Sequence, residues 1–101
     1  MANVYNSSYT RVGEVESNGV IRDSSYTKVG EVDSGGAVRN SSYSVVGHIE
    51  SNGTIRNSSY TTVGHVESNG TIRNSSYGKA GQVSGVSVYQ AGGAALLLLP
   101  L

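Results

Sequence analysis

Two histidines are the first residues in this chain whose type and spacing suggest chemistry. They lie 17 residues apart, in a column made of Glu14, Glu31, His48, His65 and Gln82. Imidazoles that a fold brings together bind Zn²⁺ or Cu²⁺. Two histidines without further convergent ligands are a weak signal, however, and an exposed column beside arginines is the simpler interpretation. We therefore expect no metal site and no cofactor.

Acidic residues and serines recur with the same spacing. The acidic column consists of Glu16, Asp33, Glu50 and Glu67. It lacks the clustered pattern of a calcium loop, and arginines balance it, so we expect a solvated charged face. The serine pairs offer hydroxyl groups, but five equivalent serines cannot each have a private base and an oxyanion hole. We therefore predict that the protein is not an enzyme.

Composition narrows the function further. Seven Lys and Arg balance seven Asp and Glu, whereas nucleic-acid binding requires a basic face. The first ten residues lack the cationic and apolar regions of a signal peptide. The only strong apolar run, residues 94–101, is too short to span a bilayer as a helix. We expect a cytoplasmic protein with no nucleic-acid partner and no membrane span.

All of these residues recur because the chain repeats one unit of 17 residues about five times, over residues 4–88. Three columns are the most regular: Tyr9, Tyr26, Tyr43, Tyr60 and Tyr77; Gly13, Gly30, Gly47, Gly64 and Gly81; and Val15, Val32, Ile49, Val66 and Val83. A fixed short period is typical of repeat proteins. Asn, Ser, Thr, Gly and β-branched residues dominate the unit and disfavour helix. We predict a single all-β repeat domain over residues 1–101.

Two β arrangements fit this unit. In a β-solenoid each unit is one coil, and identical residues stack about 4.8 Å apart. In an antiparallel meander of stacked β-hairpins, the ESNG segment forms a turn with Gly19 in the left-handed region. That turn pairs Val15 with Ile21 on one face and Glu14 with Arg22 on the other. We favour the solenoid, because near-identical copies stack well on one another.

The chain ends in an apolar segment at residues 94–101, which the 17-residue step aligns with the β-strand column. We therefore predict a C-terminal strand that is apolar on both faces and needs burial on both. Because the net charge is zero, little repulsion opposes self-association. The predicted oligomer interface consists of Leu96, Leu97, Leu98 and Leu99.

The repeated phrase V-G-x-[VI]-x3-G-x-[VI]-R-[ND]-S-S-Y, followed by a short apolar segment, resembles a group of small uncharacterised bacterial tandem-repeat proteins. The resemblance covers nearly the whole chain. It implies no activity, cofactor or catalytic residue. The near-identity of the third and fourth units is also compatible with a consensus or designed repeat.

A repeated unit of this kind builds a surface that carries the same side chain at every step. We predict a structural, self-associating module without catalytic activity, a homo-oligomer that packs through its C-terminal strand. The alternative function is a repetitive Ser/Thr/Tyr surface that binds a polymer such as a glycan, on which tyrosines stack, or ice.

Overall fold

The chain forms ten β-strands followed by one helix, in a computed structural model that describes residues 2–99 and Leu101. The strands pair with their neighbours in chain order, and β1 pairs with β10, which closes an antiparallel barrel. The elements are β1 (Ala2–Asn6), β2 (Arg11–Val15), β3 (Val20–Asp23), β4 (Lys28–Val32), β5 (Ala37–Asn40), β6 (Val45–Ile49), β7 (Thr54–Asn57), β8 (Thr62–Val66), β9 (Thr71–Asn74), β10 (Lys79–Val83) and α1 (Val88–Leu98).

The predicted β-solenoid is wrong, because both turns of each unit reverse the chain direction. Every strand is therefore antiparallel to both of its neighbours. Equivalent residues are related by rotation around the barrel and are separated by two strands, so they do not stack on one another. The hairpin pairing of the alternative arrangement is confirmed, since Val15 pairs with Ile21 and Glu14 with Arg22. What that alternative lacked was closure into a ring.

Two sets of turns form the two rims of the barrel. The glycine rim consists of the turns at 16–19, 33–36, 50–53 and 67–70, and the tyrosine rim consists of the turns at 6–9, 23–26, 40–43, 57–60 and 74–77. In the glycine rim, Gly19 N–H donates to the Glu16 carbonyl oxygen over 2.9 Å. Gly19 has φ 93°, in the left-handed region predicted for the ESNG segment.

The first strand completes the fifth unit from the other end of the chain. Val4 pairs with Val83, and Tyr5 pairs with Gln82. Val4 thereby takes the place that Ile21 has in the first hairpin. Because β1 satisfies the free edge of β10, the ten strands within residues 2–99 leave no strand edge for another chain to extend.

The core lies inside the barrel, where each strand contributes one inward valine or isoleucine and α1 contributes buried alanines. The inward strand residues are all buried: Val4, Val15, Ile21, Val32, Val38, Ile49, Ile55, Val66, Ile72 and Val83. The relative exposure of Val32 is 4% and that of Val66 is 6%. Successive units are thus geometric equivalents, as the 17-residue period predicts.

The predicted C-terminal strand at 94–101 is wrong, because its described residues up to Leu98 belong to α1, which contacts all ten strands from inside the barrel. No strand edge is available there, so the backbone N–H and C=O groups must pair within the segment itself, which only a helix allows. Ala, Leu and Gln are also good helix formers. The helix begins after Ser87, whose side chain accepts from Gln90 N–H.

Small and large residues alternate between the helix and the barrel. Where the barrel presents Val32 and Ile49, the helix presents Gly93 and Gly92. Where the barrel presents the mid-strand glycines, the helix presents leucines. A Cβ built on Gly13 would lie 2.6 Å from Leu98 Cδ1.

The same fit recurs at three other glycines of the column, with Leu97 over Gly30, Leu96 over Gly47 and Leu99 over Gly81. For a Cβ built on Gly64, the nearest side-chain atom is Ile55 Cδ1, at 3.6 Å. A barrel of ten strands is too wide for valine and isoleucine alone to fill, and a helix about 10 Å across occupies the remainder.

Candidate functional site

Five tyrosines form the most regular exposed feature of the barrel. Each is exposed by between 53% and 64% and occupies the last position of a tyrosine-rim turn: Tyr9, Tyr26, Tyr43, Tyr60 and Tyr77. All five have φ between 64° and 69°. A bulky residue in this left-handed region is unusual and costs about 1–2 kcal/mol. Five repetitions of such a cost indicate that the side chain is needed.

The turn itself does not require tyrosine. Asn57 N–H donates to Thr61 O over 3.0 Å, and Tyr60 N–H donates to Asn57 O over 2.9 Å. The glycine rim has the same two bonds and places glycine at the same position. The Asn57 side chain stabilises the tyrosine turn, because Oδ1 accepts from both Ser59 N–H and Thr61 N–H.

Each tyrosine ring lies on the outer wall, against the hairpin whose second strand leads into its turn. A guanidinium carbon stands 5.2 Å from the ring centroid of Tyr26 and of Tyr43, and 5.5 Å from that of Tyr60. The Tyr9 ring stacks on Tyr5 at 5.1 Å and has Lys79 Nζ at 5.7 Å. Cation–π contacts at exposed sites contribute about 0.5–1 kcal/mol.

Hydrogen bonds from two nitrogens of the guanidinium group hold the arginine side chains in place. Arg56 Nε donates to Glu50 Oε2 over 2.8 Å, and Arg56 Nη1 donates to the carbonyl oxygen of Tyr60 over 3.2 Å. The Arg22 and Arg73 side chains repeat both bonds in their own hairpins. The three glutamates of the acidic column thus form a charged face with these arginines, whereas Asp33 accepts from the backbone N–H groups of Gly35 and Ala37. The glutamates also align each of these guanidinium groups beside the tyrosine that follows.

The side chain of the Glu14 column that lies beside the tyrosine differs among four of the five positions. In the β2–β3 hairpin, a hydrogen bond to the Glu14 carboxylate raises the pKa of Tyr26. In the β4–β5 hairpin, hydrogen bonds from Lys28 and then from Tyr43 lower the pKa of Glu31. In the next two hairpins the same column carries histidine. His48 lies 5.9 Å from the Tyr60 ring, and His65 lies 5.5 Å from the Tyr77 ring, between ring centroids.

Four such hairpins and the pair formed by β10 and β1, arranged around one axis, make a disc with extents of 29 × 28 × 20 Å. The family model described as 5-fold beta-flower protein matches residues 1–98. The chain belongs to this family. Comparison with curated proteins and with solved structures gives no match. Membership agrees with the predicted small tandem-repeat protein, and the fivefold description agrees with the five strand pairs of the barrel.

The leucines predicted as an oligomer interface lie inside this β-flower protein. Leu99 is buried, whereas Leu96, Leu97 and Leu98 are half-buried at the end of the helix. The premise of a free apolar strand is wrong, because these side chains pack on glycines of the same chain. Self-association itself stays a prediction.

The other sequence candidates are distributed around the ring. Within residues 2–99 and Leu101, no cluster of three or more His, Cys, Asp or Glu is placed to hold a metal ion. His48 and His65 lie on separate hairpins, each beside its own tyrosine. In the same described part of the chain, no helix is long and apolar enough to cross a membrane. The absence of enzymatic activity and of cofactors stays a prediction.

A cleft of about 300 Å³ lies on the glycine rim, where α1 enters the barrel. Its lining includes Asp33 from the rim and Ser87, Tyr89 and Gln90 from the start of the helix. Gln90 Nε2 donates to the Ser17 carbonyl oxygen over 3.0 Å, so the helix is attached to the rim at this point. The cleft therefore belongs to the attachment of the helix.

Sequence reasoning identified the tyrosine column but not its conformation or its partners. The signal was present: Tyr follows Asn-Ser-Ser or Asp-Ser-Ser in every unit, in a segment with the turn chemistry of the glycine rim. The mid-strand glycine column was a second missed signal. A glycine inside a strand commonly marks close approach of another group, and here that group is the helix.

Proposed function

We propose that this β-flower protein is a non-catalytic structural module whose rigid ring binds a repetitive polymer, a glycan, through its five exposed tyrosines. The observation that carries the proposal is the left-handed backbone of all five tyrosines. Glycine would fit this position without strain, and the chain uses glycine at the equivalent position of the other rim. The aromatic side chain is therefore retained against a local cost.

Aromatic faces suit sugar rings, because a sugar presents an apolar face of similar size to a tyrosine ring. Serines precede every tyrosine, and an arginine lies beside Tyr26, Tyr43 and Tyr60, so these groups supply hydrogen-bonding partners. Equivalent tyrosines are separated by two tilted strands, which places them roughly 12 Å apart around the wall. A polymer can then contact two positions at once, which raises the apparent affinity without any new contact.

The same geometry favours a glycan over ice. Thr54 and Thr71 are buried, so they cannot present hydroxyl groups to a lattice. The remaining threonines lie on a curved rim, whereas an ice-binding face is flat. We therefore do not extend the proposal to ice.

A glycan array tests the proposal. Wild type is compared with the double variant Tyr43→Gly plus Tyr60→Gly, which removes two rings and keeps the turn conformation. Tyr43→Phe plus Tyr60→Phe is the matched control, because it keeps the aromatic faces. We expect binding by wild type and the phenylalanine variant, and at least tenfold weaker binding by the glycine variant. A wild type that binds no glycan on the array retires the proposal.

Self-association is the second candidate, and one observation favours it. The half-buried Leu96, Leu97 and Leu98 lie at the end of the helix, and partly buried valines of the strands pack on the same core. Light scattering of wild type over a range of concentrations tests it directly. A substitution such as Leu99→Asp would not be informative, because it places a charge in the buried core. A monomer at every concentration excludes this candidate.

Three further points stay predictions. They are the cytoplasmic location, the 17-residue phrase as a signature of the family, and a consensus or designed origin.

A further inference from the structure

We propose that the polymer is an acidic polysaccharide and that it binds to the half of the wall formed by β6 to β9, centred on Tyr60 and Tyr77. This inference rests on the proposed function, since it specifies the chemistry of the glycan. Two observations carry it: an uneven distribution of charge around the ring, and a change in the side chain beside the tyrosines.

Charge is divided unequally between the strands β2 to β5 and the strands β6 to β9. Residues 11–40 contain five acidic and four basic side chains, which leaves a net charge of −1. Residues 45–74, which span β6 to β9, contain two acidic and two basic side chains, which leaves zero, and they also contain both histidines. The neutral net charge of the whole chain conceals this asymmetry.

The local environment of the tyrosines changes in the same direction. Glu14 and Glu31 place carboxylates beside Tyr26 and Tyr43. These carboxylates also hold the nearby cations, Arg11 at 2.7 Å from Glu14 and Lys28 at 3.2 Å from Glu31, so an acidic sugar that stacks on either ring would compete with a carboxylate of the protein for its cation. On β6 and β8 the equivalent residues are His48 and His65, so an imidazole replaces the carboxylate at both positions.

An arginine lies beside each of the tyrosines Tyr60 and Tyr77. Arg56 uses Nε for Glu50 and Nη1 for Tyr60 and Thr62, and Arg73 uses Nε for Glu67 and Nη1 for Tyr77. Among the described residues, neither Nη2 takes part in a hydrogen bond. Each guanidinium therefore still has N–H groups for a sugar carboxylate, and arginine binds carboxylates with good geometry.

The two positions belong to neighbouring hairpins, so they lie roughly 12 Å apart on the wall. A chain of sugar acids repeats its carboxylates along its length and can contact both positions together. The occupant is thus a polymer with regular negative charge.

Calorimetry with two matched probes tests the inference. One probe is an oligogalacturonate, and the other is the same oligomer with its carboxyl groups methyl-esterified. We expect wild type to bind the acid at least tenfold more tightly than the ester at low salt. The preference is expected to fall as salt is added, because exposed charges are screened.

Variants that copy other positions of the same chain locate the site. The double variant His48→Glu plus His65→Glu places glutamate where the wall already carries it at Glu14 and Glu31, so we expect it to fold. It is expected to weaken binding of the acid at least tenfold. His48→Gln plus His65→Gln copies Gln82 and is the matched control, with an expected loss of about threefold or less.

The outcomes separate the two proposals. Equal affinity of wild type for acid and ester, weakened by Tyr60→Gly plus Tyr77→Gly, overturns the acidic specificity and leaves the glycan proposal standing. Equal losses in the glutamate and glutamine variants also overturn it, because the histidines would then act by shape and not by charge. Binding of neither probe, together with an empty glycan array, overturns both proposals.

Discussion

The two rims of the barrel use the same turn for different purposes. In both rims the last residue of the turn has a positive φ, 91–94° at the glycines and 64–69° at the tyrosines. In the glycine rim, the Gly53 carbonyl oxygen accepts from Val66 N–H over 2.8 Å, and a Cβ on Gly53 would overlap the Val66 carbonyl oxygen. There the backbone must approach the next hairpin closely, so no side chain fits.

The tyrosine rim lacks this demand, since its turns carry a full aromatic side chain on the outer wall. The comparison teaches that glycine is chosen where the backbone needs space, and tyrosine where the surface needs a ring. Substitutions in the two rims test this comparison, because each changes either the space at the glycine or the ring at the tyrosine.

The largest effect is expected for Gly53→Ala. Its Cβ meets both an unfavourable φ and the Val66 carbonyl oxygen, so we expect a loss of about 3 kcal/mol in the free energy of unfolding. Urea denaturation measures it. Ser51→Ala, in the same turn but exposed, is the control and is expected to change stability by less than about 0.5 kcal/mol. A Gly53→Ala variant as stable as wild type would mean that the glycine rim tolerates side chains.

A smaller effect distinguishes the asparagines of the two rims. Asn57 Oδ1 accepts two backbone N–H groups, whereas Asn52 Oδ1 accepts one, from Thr54 over 3.1 Å. We expect Asn57→Ala to cost about 1–2 kcal/mol and Asn52→Ala about half as much. Thermal unfolding of the two variants side by side gives the order. The reverse order would contradict the view that the tyrosine turn depends on its first side chain.

Tyr60→Gly is expected to change the free energy of unfolding by no more than about 1 kcal/mol, because relief of the left-handed strain offsets the lost ring contacts and the greater freedom of the unfolded chain. Tyr60→Ala is the informative partner, since alanine loses the ring but keeps the strain. It is expected to be less stable than the glycine variant. If glycine is the worse of the two, the tyrosine turns are not strained in the way we infer.

The smallest effect is a pH dependence on the wall beneath the tyrosine rim. Lys28 and Tyr43 lower the pKa of Glu31, so the folded state favours the ionised carboxylate. Its stabilising contribution is present above the ordinary pKa of glutamate and is lost as the pH falls through the lowered value. The stability difference between wild type and Glu31→Gln is therefore expected to shrink between pH 7 and pH 3. Urea midpoints at the two pH values measure it, and a difference that grows on acidification contradicts the assignment.

Much of the local structure followed from the sequence, because each unit repeats the same short-range chemistry. The pairing of Val15 with Ile21 follows from the length of the ESNG turn and from the alternation of side chains along a strand. The left-handed Gly19 follows from the same turn. The tyrosine column was visible in the sequence as a column, but its partners were not, because they come from two different strands.

The leucine segment shows where local reasoning fails. A run such as Ala94–Ala95–Leu96–Leu97 fits a buried strand or a buried helix equally well by pattern alone. The 17-residue step aligns this segment with the strand column of the repeat and therefore predicts a strand. The segment cannot pair as a strand with β10, because β1 already occupies that edge. It therefore folds as a helix in the lumen of the barrel.

The repeat, the faces of its strands and the chemistry of its turns are determined by the sequence itself, since they depend on neighbours within one unit. The number of strands around the ring, the partnership of the two chain ends and the insertion of the helix were decided by the tertiary structure. These features depend on closure: a ring of ten strands leaves a lumen that side chains of valine and isoleucine cannot fill, and the mid-strand glycines leave room for the leucines that do.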